Sequence, residues 1–200
     1  LLTDKLYDSL GRLSSVCRHG NCGRLETWYD YNVRSWVKAV NGPLFSQKLY
    51  YNDKRSDGTR NTCYNGNISS MDWKMGAENI LRGYNFTYDG LSRLKHADYL
   101  ENGIREEGRF DTSYRYDKHG NITRLERYGQ TESDSYGLID NLYMFYNGNQ
   151  LESVEDSAVE LAYNNGFEFK DGDSSEVEYF YDSNGNLTKD LNKNIIDIQY

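Results

Sequence analysis

The chain has 200 residues and a formal net charge of −8, enough length for one or two ordinary domains. It contains no run near the roughly 20 apolar residues of a membrane-spanning helix, and an acidic chain is a poor general binder of nucleic acid. Nineteen Tyr, 18 Gly and 20 Asn against a single Pro favour strands and left-handed turns, and exclude a helical bundle.

One phrase recurs along the chain: Tyr, then Asp or Asn, a short polar turn bearing Gly, then an apolar residue. Its first copy is Tyr7-Asp8-Ser9-Leu10-Gly11-Arg12-Leu13. A weaker copy follows at Tyr29-Asp30-Tyr31-Asn32-Val33-Arg34, and a degenerate one at Tyr50-Tyr51-Asn52-Asp53. Tyr64-Asn65-Gly66-Asn67-Ile68 is again weak, whereas Tyr88-Asp89-Gly90-Leu91-Ser92-Arg93-Leu94 and Tyr116-Asp117-Lys118-His119-Gly120-Asn121-Ile122 are fuller. The series closes with Tyr146-Asn147-Gly148-Asn149-Gln150-Leu151 and Tyr181-Asp182-Ser183-Asn184-Gly185-Asn186-Leu187.

Each copy predicts a β-hairpin. Asp at the start of a type I turn can accept the turn's own amide hydrogens. A Gly three residues later, as at Gly11, Gly120 and Gly185, suits the left-handed bulge position. Alternation flanks the turns at Met71, Trp73 and Met75, at Phe86 and Tyr88, and at Leu142, Met144 and Tyr146, the period of half-buried strands. Residues 1–200 therefore read as a single array of about seven or eight tandem antiparallel hairpins, an all-β fold in one elongated, twisted or spiralling sheet. The polar stretches Ser56–Asn61, Glu101–Gly108, Gly129–Gly137 and Asn164–Ser175 read as insertions at hairpin ends. Ile195-Ile196-Asp197-Ile198-Gln199-Tyr200 reads as a strand entering a further copy, so the chain is expected to be a piece of a longer array.

The unbroken phrase at Tyr7–Leu13 resembles the tyrosine–aspartate (YD) repeat of Rhs proteins, and is similar to repeats of bacterial wall-associated proteins and of the teneurin shell. The likeness runs from Tyr7 to Tyr200. It implies a spiralling β-sheet that helps build a hollow shell or stalk, in a large secreted or surface-displayed bacterial protein. Neighbouring repeats of the parent protein, cell-surface glycans and an encapsulated C-terminal effector are the partners it suggests. Several copies depart from the pattern by losing Gly or Arg, and 200 residues are too few to close a shell.

Catalytic chemistry finds little support. Asp8, Asp30, Asp89, Asp117 and Asp182 hold the same place in successive copies, as turn formers do, whereas a catalytic pair would be local and unique. His19, His96 and His119 stand apart with no nucleophile motif. Asp171-Gly172-Asp173 and Asp182/Asn184/Asn186 lack an ordered calcium loop with its distal Glu. No enzyme, cofactor or metal site is expected. Cys17 and Cys22 flank a turn that would set them opposite each other, either as a disulfide that leaves Cys63 free or as half-buried thiols. The tyrosines, with Trp28, Trp36 and Trp73, form cross-strand ladders on a structural reading. The alternative is an exposed aromatic row that stacks on sugars. Charge divides unevenly, +4 over residues 1–100 and −12 over residues 101–200.

Overall fold

The computed structural model describes residues 2–20, 22–55, 62–161 and 168–200. It divides into two compact units, Leu1–Glu106 and Glu107–Tyr200. Both are antiparallel β structure, and a three-residue 3₁₀ turn at Leu191–Lys193 is the helical element among the described residues.

The first unit holds β1 (Thr3–Tyr7), β2 (Leu13–Arg18), β3 (Glu26–Tyr31), β4 (Val37–Asn41), β5 (Phe45–Tyr50), β6 (Ser70–Met75), β7 (Arg82–Tyr88), β8 (Leu94–Glu101) and β9 (Ile104–Arg105). Each strand pairs with the next in sequence. The second unit holds β10 (Thr112–Tyr116), β11 (Ile122–Gln130), β12 (Tyr136–Asn147) and β13 (Gln150–Asp156), joined in the same way, and a two-stranded ribbon of β14 (Tyr179–Tyr181) and β15 (Leu187–Asp190). The expected all-β architecture of consecutive hairpins is the observed one.

Residues directly opposite on neighbouring strands share a face of a sheet, and the register separates two surfaces in the first unit. Met71 opposes Tyr84, and Tyr84 opposes Tyr99. On that face Trp73 stacks on Tyr84 at 5.5 Å between centroids, and Tyr84 meets Phe86 at 5.9 Å and Tyr99 at 5.6 Å. Centroid spacings of this size suit aromatic packing.

On the other face Asp72 opposes Lys48 and Gly83. Buried Asp72 pairs with Arg55 at 2.5 Å and accepts the Tyr50 hydroxyl at 3.0 Å, while Arg55 also donates to Asn85. Removing one partner would strand a buried charge, so this cluster pins the segment after β5 to the sheet. A Cβ on Gly83 would lie 2.5 Å from Asp72 Oδ1 and 2.8 Å from the Met71 carbonyl, which explains a glycine in mid-strand.

In the second unit Leu125 opposes Leu142 and Met144 opposes Val154. Asp140, fully buried, pairs with Arg127 and accepts the Phe169 amide at 2.6 Å.

Four expected features are corrected. Ile195–Tyr200 forms no strand: Ile195 makes an isolated bridge to Asp190, and the residues after it lie outside the strands. Gly129–Gly137 is no insertion, because β11 and β12 continue through it and pair Gly129 with Gly137, leaving 131–135 as the turn. Glu101–Gly108 contains a tight hairpin in which Asn102 (φ 51°) and Gly103 (φ 81°) both take left-handed backbone, the requirement of a type I′ turn. The copy assigned to Tyr29 and Asp30 lies two residues further on, at Tyr31-Asn32, since Tyr29 and Asp30 pair in mid-strand with Val40 and Ala39. Ser56–Asn61, and 164–167 of the stretch Asn164–Ser175, lie outside the described residues.

Candidate functional site

Five turns share one hydrogen-bond plan. At Asp8 the backbone amide donates to the Arg12 carbonyl at 2.8 Å, and the Gly11 amide donates to the Asp8 carbonyl at 3.0 Å. The Asp8 Oδ1 accepts the amides of Leu10 and Arg12, and its Oδ2 accepts Arg12 Nε at 2.6 Å. Asp89 repeats this with Leu91 and Arg93. Asp117 and Asp182 repeat it with Asn121 and Asn186, whose Nδ2 replaces the arginine Nε at 2.9 Å. The fifth turn stands on Asn32, whose Oδ1 takes the amides of Arg34 and Trp36.

The left-handed position falls on Gly11 (φ 76°), Gly120 (φ 97°) and Gly185 (φ 84°), but on Ser35 (φ 60°) and Ser92 (φ 64°) in the other two. Tyr146-Asn147 uses a shorter connection, in which Asn147 pairs with Gln150 and Gly148 alone takes positive φ (62°). Reading Ser in the place of Gly and Asn in the place of Asp would have found the Tyr31 copy from sequence.

These contacts hold the turn carboxylates ionised. The amides of Arg12 and Arg93, followed by their side chains, keep Asp8 and Asp89 below the ordinary carboxylate value. The Asn186 amide and side chain do the same for Asp182. At Asp117 desolvation opposes, and the hydrogen bonds from Asn121, His119 and Gly120 together prevail. Hydrogen bonds to the charged form favour it.

The tyrosine that opens each phrase has a separate task. Tyr31 donates its hydroxyl to the Leu13 carbonyl at 2.9 Å, Tyr51 to Val37 at 3.0 Å, and Tyr88 to Ile68 at 2.7 Å. Tyr146 donates to Ile122 at 2.9 Å, Tyr181 to Leu151 at 3.0 Å, and Tyr200 to Leu187 at 2.9 Å. Every acceptor is the apolar residue that closes an earlier phrase, so each bond is a rung from a tyrosine back to an earlier phrase. Burial pushes Tyr88 up to about 12, with the neighbouring Cys63 adding to the shift. Burial also raises Tyr51, Tyr146 and Tyr181. Tyr7 is exposed, with no described hairpin ahead of it to lie on. Tyr64 is exposed as well, and Tyr116 stacks beside Tyr114 at 6.5 Å.

Cys17 and Cys22 are joined in a disulfide and Cys63 is free. Among the described residues no group of three or more His, Cys, Asp or Glu is set to hold a metal ion, and no helix is long and apolar enough to cross a membrane.

No protein-family model and no curated protein matches the sequence. Among solved structures, the crystal structure of TcdB2-TccC3-Cdc42 is similar to this chain, with a TM-score of 0.53 at 10% identity. The likeness is one of fold. It covers 93% of this chain but 11% of that chain, so the residues here match a small part of a much longer polypeptide.

Proposed function

We propose that this chain is a non-enzymatic structural segment of a secreted or cell-surface bacterial protein of the Rhs/YD-repeat kind, contributing hairpins to a β-shell or stalk. The observation that carries this reading is the set of tyrosine rungs, which spend the periodic residue of the sequence on joining one hairpin to the next. The conserved-looking aspartates are likewise consumed in closing their own turns. The resemblance of the phrase to YD repeats and the fold likeness to a far longer chain support the same reading. Neighbouring repeats are then the natural partners, with an enclosed effector as a further one.

Equilibrium urea unfolding of single Tyr→Phe variants tests it. Tyr88→Phe and Tyr146→Phe each lose a bond to a backbone carbonyl and are expected to cost about 1 kcal/mol, whereas Tyr7→Phe is expected to be silent. Rung variants as stable as the parent chain, or turnover in a panel of hydrolase substrates, would overturn the proposal.

A further inference from the structure

The dipeptide Asn-Gly occurs six times in the chain, beginning at Asn41, Asn65, Asn102, Asn147, Asn165 and Asn184. Asn165-Gly166 lies outside the described residues. An asparagine before glycine is open to attack by the next backbone nitrogen on its own side-chain amide, because glycine has no Cβ to block the approach. Local hydrogen bonding decides which pairs are free to react.

At four of the described pairs a reacting group is held. Asn41 Nδ2 donates to Asp30 Oδ2 at 3.1 Å. Asn65 is fixed at both ends of its amide, with Nδ2 donating to Ser92 Oγ at 2.8 Å and Oδ1 accepting the Asn67 amide at 3.1 Å. Asn102 Oδ1 accepts the Leu81 amide at 3.0 Å. At Asn184 the nucleophile is engaged instead, since the Gly185 amide donates to the Asp182 carbonyl at 3.0 Å.

Asn147-Gly148 differs from all of these. Both residues are exposed. Neither the Asn147 side chain nor the Gly148 amide has a hydrogen-bond partner among the described residues. Asn147 closes its hairpin by pairing with Gln150, and Gly148 takes φ 62° at the first loop position. In so short a hairpin loop the flanking residues make the closing bonds, and glycine at this place is the mark of a type II′ turn.

We propose that Asn147 is a site of spontaneous deamidation in the folded chain. Base takes the Gly148 amide proton, the nitrogen attacks Asn147 Cγ, and Nδ2 leaves as ammonia with a proton from solvent. Water then opens the resulting succinimide, leaving aspartate or isoaspartate at this position and adding one carboxylate. Isoaspartate lengthens the main chain by a methylene where Asn147 pairs with Gln150 and where the Gly148 carbonyl accepts Asn121 Nδ2. The modification therefore loosens the tie between neighbouring turns as the protein ages. The wall-building role gives this turn no reactivity, so the two proposals fail separately.

Peptide mapping by mass spectrometry tests the inference on the whole chain, kept folded in mildly alkaline buffer and, in parallel, unfolded in urea. In the folded chain Asn147 is expected to convert at least about tenfold faster than Asn41, Asn65, Asn102 and Asn184, the factor that one retained hydrogen bond imposes on a rate. In urea the difference is expected to vanish. An Asn147 that converts no faster than the held asparagines would overturn the proposal. So would the same ranking in urea, which would trace the reactivity to sequence and not to the turn.

Discussion

At Ser35 and Ser92 the backbone φ is 60° and 64°, where a side chain with a Cβ costs roughly 1 kcal/mol or more relative to glycine. The same position holds Gly11, Gly120 and Gly185 in the sister turns. Ser35→Gly and Ser92→Gly are therefore expected to stabilise the chain by about 0.5–1 kcal/mol each, read as a higher urea midpoint with an unchanged slope. The serine hydroxyls set the upper limit of that gain, since Ser35 accepts from Arg12 and Ser92 from Asn65. The residue after the left-handed position obeys a different rule. Arg12 and Asn121 present different groups, Nε and Nδ2, to the same aspartate oxygen. Asn121→Arg is expected to change stability by less than about 0.5 kcal/mol, while Asn121→Ala loses about 1 kcal/mol.

Single elements are held by more than their strand pairing. The loop after β2 turns through His19 and Gly20, both at positive φ, and is closed by the Cys17–Cys22 bond. A loop this short yields modest entropic stabilisation, roughly 2 kcal/mol by chain statistics. Alkylation of the unreduced, denatured chain is expected to label one cysteine, Cys63, and labelling of three would disprove the bridge. Cys22→Ser is expected to lower stability by up to about 2 kcal/mol. Where a rung forms, the later phrase also depends on an earlier one, because its tyrosine reaches a carbonyl 13 to 30 residues away. The varying separations show why insertions between phrases are tolerated. The rung needs the tyrosine to lie beside the earlier phrase and is indifferent to the length of chain between them.

Across the whole molecule buried carboxylates are handled in two ways. Asp72 in the first unit and Asp140 in the second each have an arginine beside them. Glu178, also in the second unit, is 2% exposed and is held by the Val154 amide and Asn192 Nδ2, with no cation paired to it among the described residues. Burial raises both Glu178 and Asp156, against the pull of their hydrogen bonds. A carboxyl raised by folding costs stability when ionised, and that cost disappears as pH falls through its folded value toward the unfolded one near 4.3 for Glu. The turn aspartates have the opposite sign. Lowered by folding, they stabilise the chain above about pH 4 and lose that contribution as pH falls through their folded values. Glu178→Gln keeps an acceptor for both donors and removes the charge. It is expected to raise the urea midpoint at pH 7, with the advantage gone near pH 4. A lower midpoint at pH 7 would show that the charge itself supports the fold.

How much was legible in the sequence depended on whether the signal was local. Asp8, Asp89, Asp117 and Asp182 were visible as turn formers because their partners lie within four residues. The Asn102-Gly103 hairpin carried an equally local signal, which the repeat phrase obscured. The Tyr31 turn was displaced by two residues because Tyr29-Asp30 fits the phrase better by letter. Only the pairing of β3 with β4, and the backbone that Ser35 accepts, decide between them.

By itself, then, the sequence determined the hairpins: a turn closes on its own amides, and alternation commits its flanks to strands. The tertiary structure alone decided what the tyrosines do and which carboxylates are buried with no cation beside them among the described residues. Those properties belong to side chains that meet across strands many residues apart, and no local pattern fixes which chain segment will lie beside another.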